Sequence, residues 1–230
     1  MIRENINRVQ ERIAAACERA GRQPLSVTLV AVSKTFPAEK VREAYECGLR
    51  RFGENRVQEA EGKVAELRDL GIEWHLVGHL QSNKAGKAAE IFQFIESLDA
   101  LKPAEKLNQA RESSGEPLLV LLQVDLGREE TKFGIPREDV LDLARRVSEL
   151  PRLRIRGLMT MPPYSEDPEQ ARPYFRSLRE LAESISRQKL SNVSMEVLSM
   201  GMSHDFEVAI EEGSTMVRVG TAIFGSRSAR

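Results

Sequence analysis

Cysteine and tryptophan are nearly missing from this chain, which has two Cys (Cys17 and Cys47) and one Trp in 230 residues. Two thiols, both on predicted helices, make no disulfide framework and fit a reducing compartment, so a cytoplasmic protein is expected. Charge of either sign is not in excess: the formal net charge is −1. A chain so balanced has neither the footprint of a nucleic-acid binder nor that of a membrane-surface protein, and neither partner is expected. No run of about 18 apolar residues occurs, so no membrane span is expected. The opening Met1-Ile2-Arg3-Glu4-Asn5 leads into an amphipathic pattern and not into an apolar signal core. No Gly-x-Gly-x-x-Gly follows the first predicted strand, and neither a P-loop nor a Gly-x-Ser-x-Gly is found. Metal ligation is also disfavoured. His75 and His79 are spaced like a helical metal pair but fall on or just past a predicted strand, where four residues span roughly 13 Å.

What is present is the composition of an ordinary soluble globular protein, 41% hydrophobic and 30% charged. The chain is long enough to bury roughly 70% of its unfolded surface. Ile2, Ile6, Val9, Ile13, Ala16 and Ala20 recur at helical spacing, with Gly21 as a stop. Strand and helix signals then alternate. Strands are predicted at 27–33, 49–53, 72–78, 92–98, 118–124, 153–160, 195–199 and 215–219. Helices are predicted from Pro37 to Gly48, from Val57 to near Gly71, and at 83–90, 100–112, 140–150, 168–188 and 206–212. Eight strands separated by helices indicate an α/β protein of the (β/α)8 TIM-barrel type, with an open doubly wound sheet as runner-up. One domain over 1–230 is expected, its segment 1–21 packing on the barrel wall because no helix is predicted after the last strand.

Lys34 closes the apolar run Val27-Thr28-Leu29-Val30-Ala31-Val32-Ser33. A lysine at the end of a buried strand either snorkels into water or has work to do. A partly desolvated amine loses its proton readily and can then form a Schiff base with a carbonyl compound. Barrel sites lie at the carboxyl ends of strands, and there the sequence is rich in polar groups: Ser33-Lys34-Thr35, Glu54-Asn55, Gly78 to Lys84, Asp99, Gln123 to Asp125, Ser199 to Asp205, and Arg218 to Thr221. The opposite ends show no such concentration. Alternation puts Thr28, Val30 and Val32 on the face of Lys34 if that side chain points inward. Ser199-Met200-Gly201-Met202-Ser203 and Gly220-Thr221 each suit a phosphate, although for either segment alone the plainer reading is an ordinary turn, with an N-cap at Ser203. Arg218, between Val217 and Val219, needs an acceptor, and both a barrel carboxylate and a ligand are open. His204-Asp205 reads as a helix start, Lys84 and Lys87 as a solvated helix face, and Lys132 as a surface lysine.

These segments resemble the pyridoxal phosphate homeostasis protein family, itself similar to the barrel domain of alanine racemase. The likeness is carried by Ala31-Val32-Ser33-Lys34-Thr35, Phe52-Gly53-Glu54-Asn55, the segment from Trp74 to Lys84, Gly157-Leu158-Met159, Leu198 to Ser203, and Val217 to Gly225. It implies that Lys34 forms an internal aldimine with pyridoxal 5'-phosphate, with Asn55 beside the ring and Arg218 facing the pyridine nitrogen. The cofactor-binding set expected from it is Lys34, Asn55, Ser199, Met200, Ser203, Arg218, Gly220 and Thr221, with Ser199, Ser203, Gly220 and Thr221 at the phosphate. The implied function is binding and distribution of the vitamin B6 coenzyme, with no catalytic residue and no metal. Expected partners are the coenzyme and the apo-enzymes that use it, and a monomer is expected. A true racemase and a regulatory module whose occupancy signals to a protein are the competing readings. The C-terminal β-domain that supplies alanine racemase with a second acid–base group is expected to be lacking, since the sequence ends at Arg230.

Overall fold

Eight short apolar segments, each followed by a helix, close on themselves into a parallel cylinder. The structure is a computed structural model, and it describes residues 1–112, 115–128 and 133–225. The strands are β1 (Thr28–Val32), β2 (Arg51–Glu54), β3 (Glu73–Leu76), β4 (Phe94–Leu98), β5 (Leu118–Asp125), β6 (Leu153–Thr160), β7 (Val193–Met202) and β8 (Met216–Val219). Each pairs in parallel with its sequence neighbour. The ring shuts where Thr28 of β1 lies opposite Met216 of β8, so the open-sheet alternative is excluded. A two-residue fragment, Ile135–Pro136, also pairs with the end of β5.

The outer layer holds α1 (Ile2–Arg19), α2 (Ala38–Glu46), α3 (Val57–Glu66), α4 (Ala85–Ile91), α5 (Leu101–Ala110), α6 (Val140–Ser148), α7 (Arg172–Ser186), α8 (Phe206–Glu211) and α9 (Thr221–Phe224). The predicted helix at 168–188 is a short 3-10 turn, Pro168–Ala171, running into α7; Asp167 accepts the Glu169 N–H at 3.0 Å at its start. A helix does follow the last strand, contrary to expectation, though α9 has only four residues.

Strand alternation creates two cores. Outward-facing Ala31, Phe52, Leu76, Ile95, Leu122, Leu158 and Val217 join the apolar stripes of the helices in one continuous cluster. Inside the cylinder, Phe94, Leu121 and Met159 pack with Leu119, Met161 and Val197. Val30 and Val32 also face inward. A methyl group built on Gly53 would sit 3.2 Å from Val30 Cγ1 and 3.4 Å from Val32 Cγ2.

The amphipathic opening helix is part of the barrel wall. Ile2, Ile6, Val9, Ile13, Ala16 and Cys17 are its buried stripe. Asn5 Nδ2 donates to Ile223 O at 2.9 Å, and Arg12 pairs with Glu207 at 2.7 Å while stacking over Phe206. Just past the helix, Arg22 donates to the carbonyls of Ile210 (2.9 Å) and Ser214 (2.7 Å), which seals the end of α8. Among the described residues, no helix is long and apolar enough to cross a membrane.

Candidate functional site

Lys34 stands where β1 turns toward α2. Phe36 N–H donates back to Ser33 O at 3.1 Å, so Lys34 and Thr35 occupy the middle of a tight turn. Lys34 is half-buried and lines a cavity of about 870 Å3 at the carboxyl ends of the strands. Asn55, in the first position after β2, lines the same cavity. Its loop is held against the next one by a close backbone approach. A Cβ on Gly78 would sit 2.3 Å from the Asn55 carbonyl oxygen and 2.8 Å from its Cα, so glycine is required there.

The far wall comes from the last two strands. Arg218 reaches the cavity from β8 while being only 3% exposed. Ser203 Oγ accepts the N–H groups of Gly220 (3.2 Å) and Ala222 (3.4 Å). The two segments read as phosphate-like therefore meet at one place, and Ser203 is bound to the start of α9 instead of capping α8. Converging amide N–H groups with a hydroxyl suit an anion. Thr221 completes this corner of the cavity.

Behind Arg218 the barrel interior is polar. Arg218 donates to Thr160 O at 2.8 Å and to Ser199 Oγ, and a barrel carboxylate, Glu96 Oε2 at 3.8 Å, is its ion-pair partner. Ser199 Oγ donates to Glu96 Oε2 at 2.5 Å, and His75 bridges Glu96 (2.7 Å, through Nδ1) and Glu73 (3.0 Å, through Nε2). Burial alone would drive His75 toward neutrality, but the two flanking carboxylates outweigh it and hold its pKa above the ordinary value. Burial would likewise raise Glu96, yet His75 and Arg218 keep it below the usual carboxylate range. Burial lowers Arg218 itself, against the pull of Glu96 and Asp205.

Lys34, Asn55, Ser203, Arg218, Gly220 and Thr221 are brought together on this cavity. Ser199, expected at the phosphate, and Met200, expected in the cofactor-binding set, are not on its wall. The cause is the length of β7, which runs to Met202 instead of stopping at 199. Ser199 is consumed by the interior network, and Met200 points out into the helix-facing core. A register shift between Ser199 and Met202, with Gly201 at φ +95, carries the chain on to the mouth.

Several other cavity residues were given no binding role in the sequence reading. Lys84, read as part of a solvated face, lines the rim, whereas Lys87 is on the surface with Glu61 and Glu90. His79 also lines the cavity, its Nδ1 3.2 Å from Asp99 Oδ2 and its ring stacked on Phe133. Both His79 and Asp99 stand at strand ends, and that was the available signal. Glu96 was signalled by a carboxylate inside the apolar run Phe94-Ile95-Glu96-Ser97-Leu98. His204 contacts Glu166 O at 3.1 Å, and Asp205 accepts the Met202 N–H at 2.7 Å, which makes them helix-start neighbours and not a dyad. Lys132 lies outside the described residues.

Comparison with known proteins agrees with this fold. The family model for the alanine racemase N-terminal domain matches residues 2–228. The pyridoxal phosphate homeostasis protein of Aquifex aeolicus is 49% identical over 224 residues, covering 97% of each chain. The Escherichia coli K12 protein of the same name is 45% identical over 98% of this chain and 97% of its own. The structure of PipY from Synechococcus elongatus with PLP bound superposes with a TM-score of 0.82 at 42% identity, covering 94% of this chain and all of that one (100%). An alanine racemase of Clostridium difficile shares the fold, with a TM-score of 0.74 at 15% identity over 99% of this chain and 57% of its own. The chain thus belongs to the pyridoxal phosphate homeostasis protein family, built on the barrel of the alanine racemase N-terminal domain.

Proposed function

We propose that this protein binds pyridoxal 5'-phosphate and serves its intracellular homeostasis, holding the coenzyme as a Schiff base on Lys34 without substantial catalytic turnover. One observation carries the reading: a single cavity gathers the Lys34 amine, the Asn55 amide, the Arg218 guanidinium and, at one corner, Ser203, Gly220 and Thr221. That donor set fits an aromatic aldehyde bearing a phosphate. Lys34 would take the aldehyde, Asn55 would lie beside the ring, Arg218 would face the ring nitrogen, and Ser203, Gly220 and Thr221 would hold the phosphate. The bound coenzyme supplies an aldehyde for amine capture and an electron sink that strengthens when its ring nitrogen is protonated. Arg218 is a poor proton source because a guanidinium stays charged, so it donates a hydrogen bond while leaving the sink weak. This favours a carrier over an enzyme. A monomeric cytoplasmic protein that hands the coenzyme to apo-enzymes completes the proposal.

The racemase reading has one observation in its favour. His79, oriented by Asp99, is an acid–base group on the cavity wall. Incubation with a panel of D- and L-amino acids followed by chiral chromatography separates the two readings; racemisation lost in Lys34→Ala would establish an enzyme. For the carrier, coenzyme added to the purified protein is expected to turn it yellow, and borohydride is expected to fix the coenzyme mass on the peptide bearing Lys34. Label confined to another lysine, Lys132 included, would refute the assignment.

A further inference from the structure

We propose that Glu59 and Lys63 of α3 are positioning residues for Lys34, clamping the backbone on both sides of it so that the amine is presented in one place. The inference rests on the reading of Lys34 as the coenzyme's attachment point.

Lys63 is an unusual lysine, only 6% exposed under the mouth of the barrel. Its ammonium donates to Ser33 O at 2.7 Å, Glu54 Oε1 at 2.7 Å and Glu59 Oε1 at 2.9 Å, which uses all three of its protons. Ser33 Oγ adds a bond to Glu54 Oε1 at 2.6 Å. On the other side of Lys34, the Thr35 N–H donates to the same Glu59 oxygen. The carbonyl before Lys34 and the amide after it are thus tied to one buried ammonium, the first directly and the second through Glu59.

The clamp holds something that resists it. Thr35 has φ +68, in the left-handed region that a β-branched residue avoids. Such a conformation persists only where its surroundings impose it, and it sits next to the residue that matters. Stability is a poor explanation for the cluster. Buried ion pairs are often no better than apolar packing, and Glu54 Oε2 is buried here with no hydrogen-bond partner among the described residues. What the charges supply is direction: the network fixes a turn and not a mass of packing.

The test uses Glu59→Ala, Thr35→Gly and the double variant, each mixed as apo-protein with pyridoxal phosphate in a stopped-flow spectrometer. Alanine suits a partly exposed helix position, so the fold is expected to survive. Glu59→Ala is expected to slow coenzyme capture by about tenfold or more, the scale of cost for a misplaced reacting group. It is also expected to speed hydrogen exchange at the Thr35 amide. Glycine adopts the left-handed turn without a clamp, so Thr35→Gly in the Glu59→Ala background is expected to restore the rate. An unchanged rate in Glu59→Ala overturns the proposal, and so does a slowing that Thr35→Gly leaves in place. Borohydride labelling of the unmodified protein, with Lys34→Ala as control, is read first: if Lys34 is not labelled there, it is the functional reading that fails.

Discussion

Single side chains in this barrel are decided by what they touch. Two carboxylates raise the pKa of buried His75 above its ordinary value, and the consequence is a specific pH dependence. Its folded pKa is raised, so its contribution is complete below about pH 6.5 and is lost as pH rises through the folded value. Glu96 is depressed, so its contribution is present above about pH 4.3 and fades as pH falls through its own folded value. Thermal melts of His75→Gln against the parent should therefore differ most in the window between, with the gap narrowing as pH rises through the folded value of His75; a gap that never narrows on the alkaline side would contradict this. Arg218→Ala removes the donor proposed for the ring nitrogen. Coenzyme affinity by equilibrium dialysis should fall by about tenfold to a hundredfold, the range for a hydrogen bond from a charged group. Lys34, Asn55, Ser203 and Thr221 stood out in the bare sequence as polar residues at strand ends and Arg218 as a charge inside an apolar strand, while the roles expected for them came from the family resemblance. Glu54 was legible only as a strand-end residue. That it pairs sideways with Lys63, nine positions along the chain, depends on how α3 folds back over β2.

At the scale of elements, periodicity placed the eight strands and the helices that precede β8, α9 after it was not foreseen, and the other errors gathered at the ends. The one that mattered was β7. Its extra pleats up to Met202 shift Ser199 into the interior and turn Met200 outward, and they depend on an irregular register around a left-handed glycine. No hydrophobic period encodes a bulge, since its cause is the neighbouring strand. Glycine at loop crossings is the complementary case. Gly78 is followed in sequence by a polar stretch and looks like an ordinary turn residue, yet it lets the β3 loop touch the backbone of Asn55. Gly78→Ala is expected to lower the melting temperature and weaken coenzyme binding together, since the added methyl must push Asn55 away. Binding by dialysis unchanged beside a lowered melting temperature would separate Asn55 from the site.

For the whole molecule, the opening helix is the instructive part. It lies outside the eight-fold strand–helix pattern, yet its stripe is continuous with the barrel's outer core. Ile6→Ala should cost about 2–5 kcal/mol in urea unfolding, the penalty for truncating a core isoleucine, and should lower one cooperative transition of the entire fold. A separate early transition would show α1 to be only an appendage. The alternation of apolar runs and amphipathic stripes determined the parallel barrel, and with it which ends of the strands could bear a site, because both follow from local period and from chain handedness. Polar residues at those ends determined most of the cavity wall for the same reason. Closure of the ring decided the rest. It brought Glu96 to Ser199 across 103 positions and Arg218 to the carbonyl of Thr160, while the fold-back of α3 brought Lys63 to Ser33. Partnerships of that kind are set by which strands become neighbours in space, and a linear pattern contains no term for them.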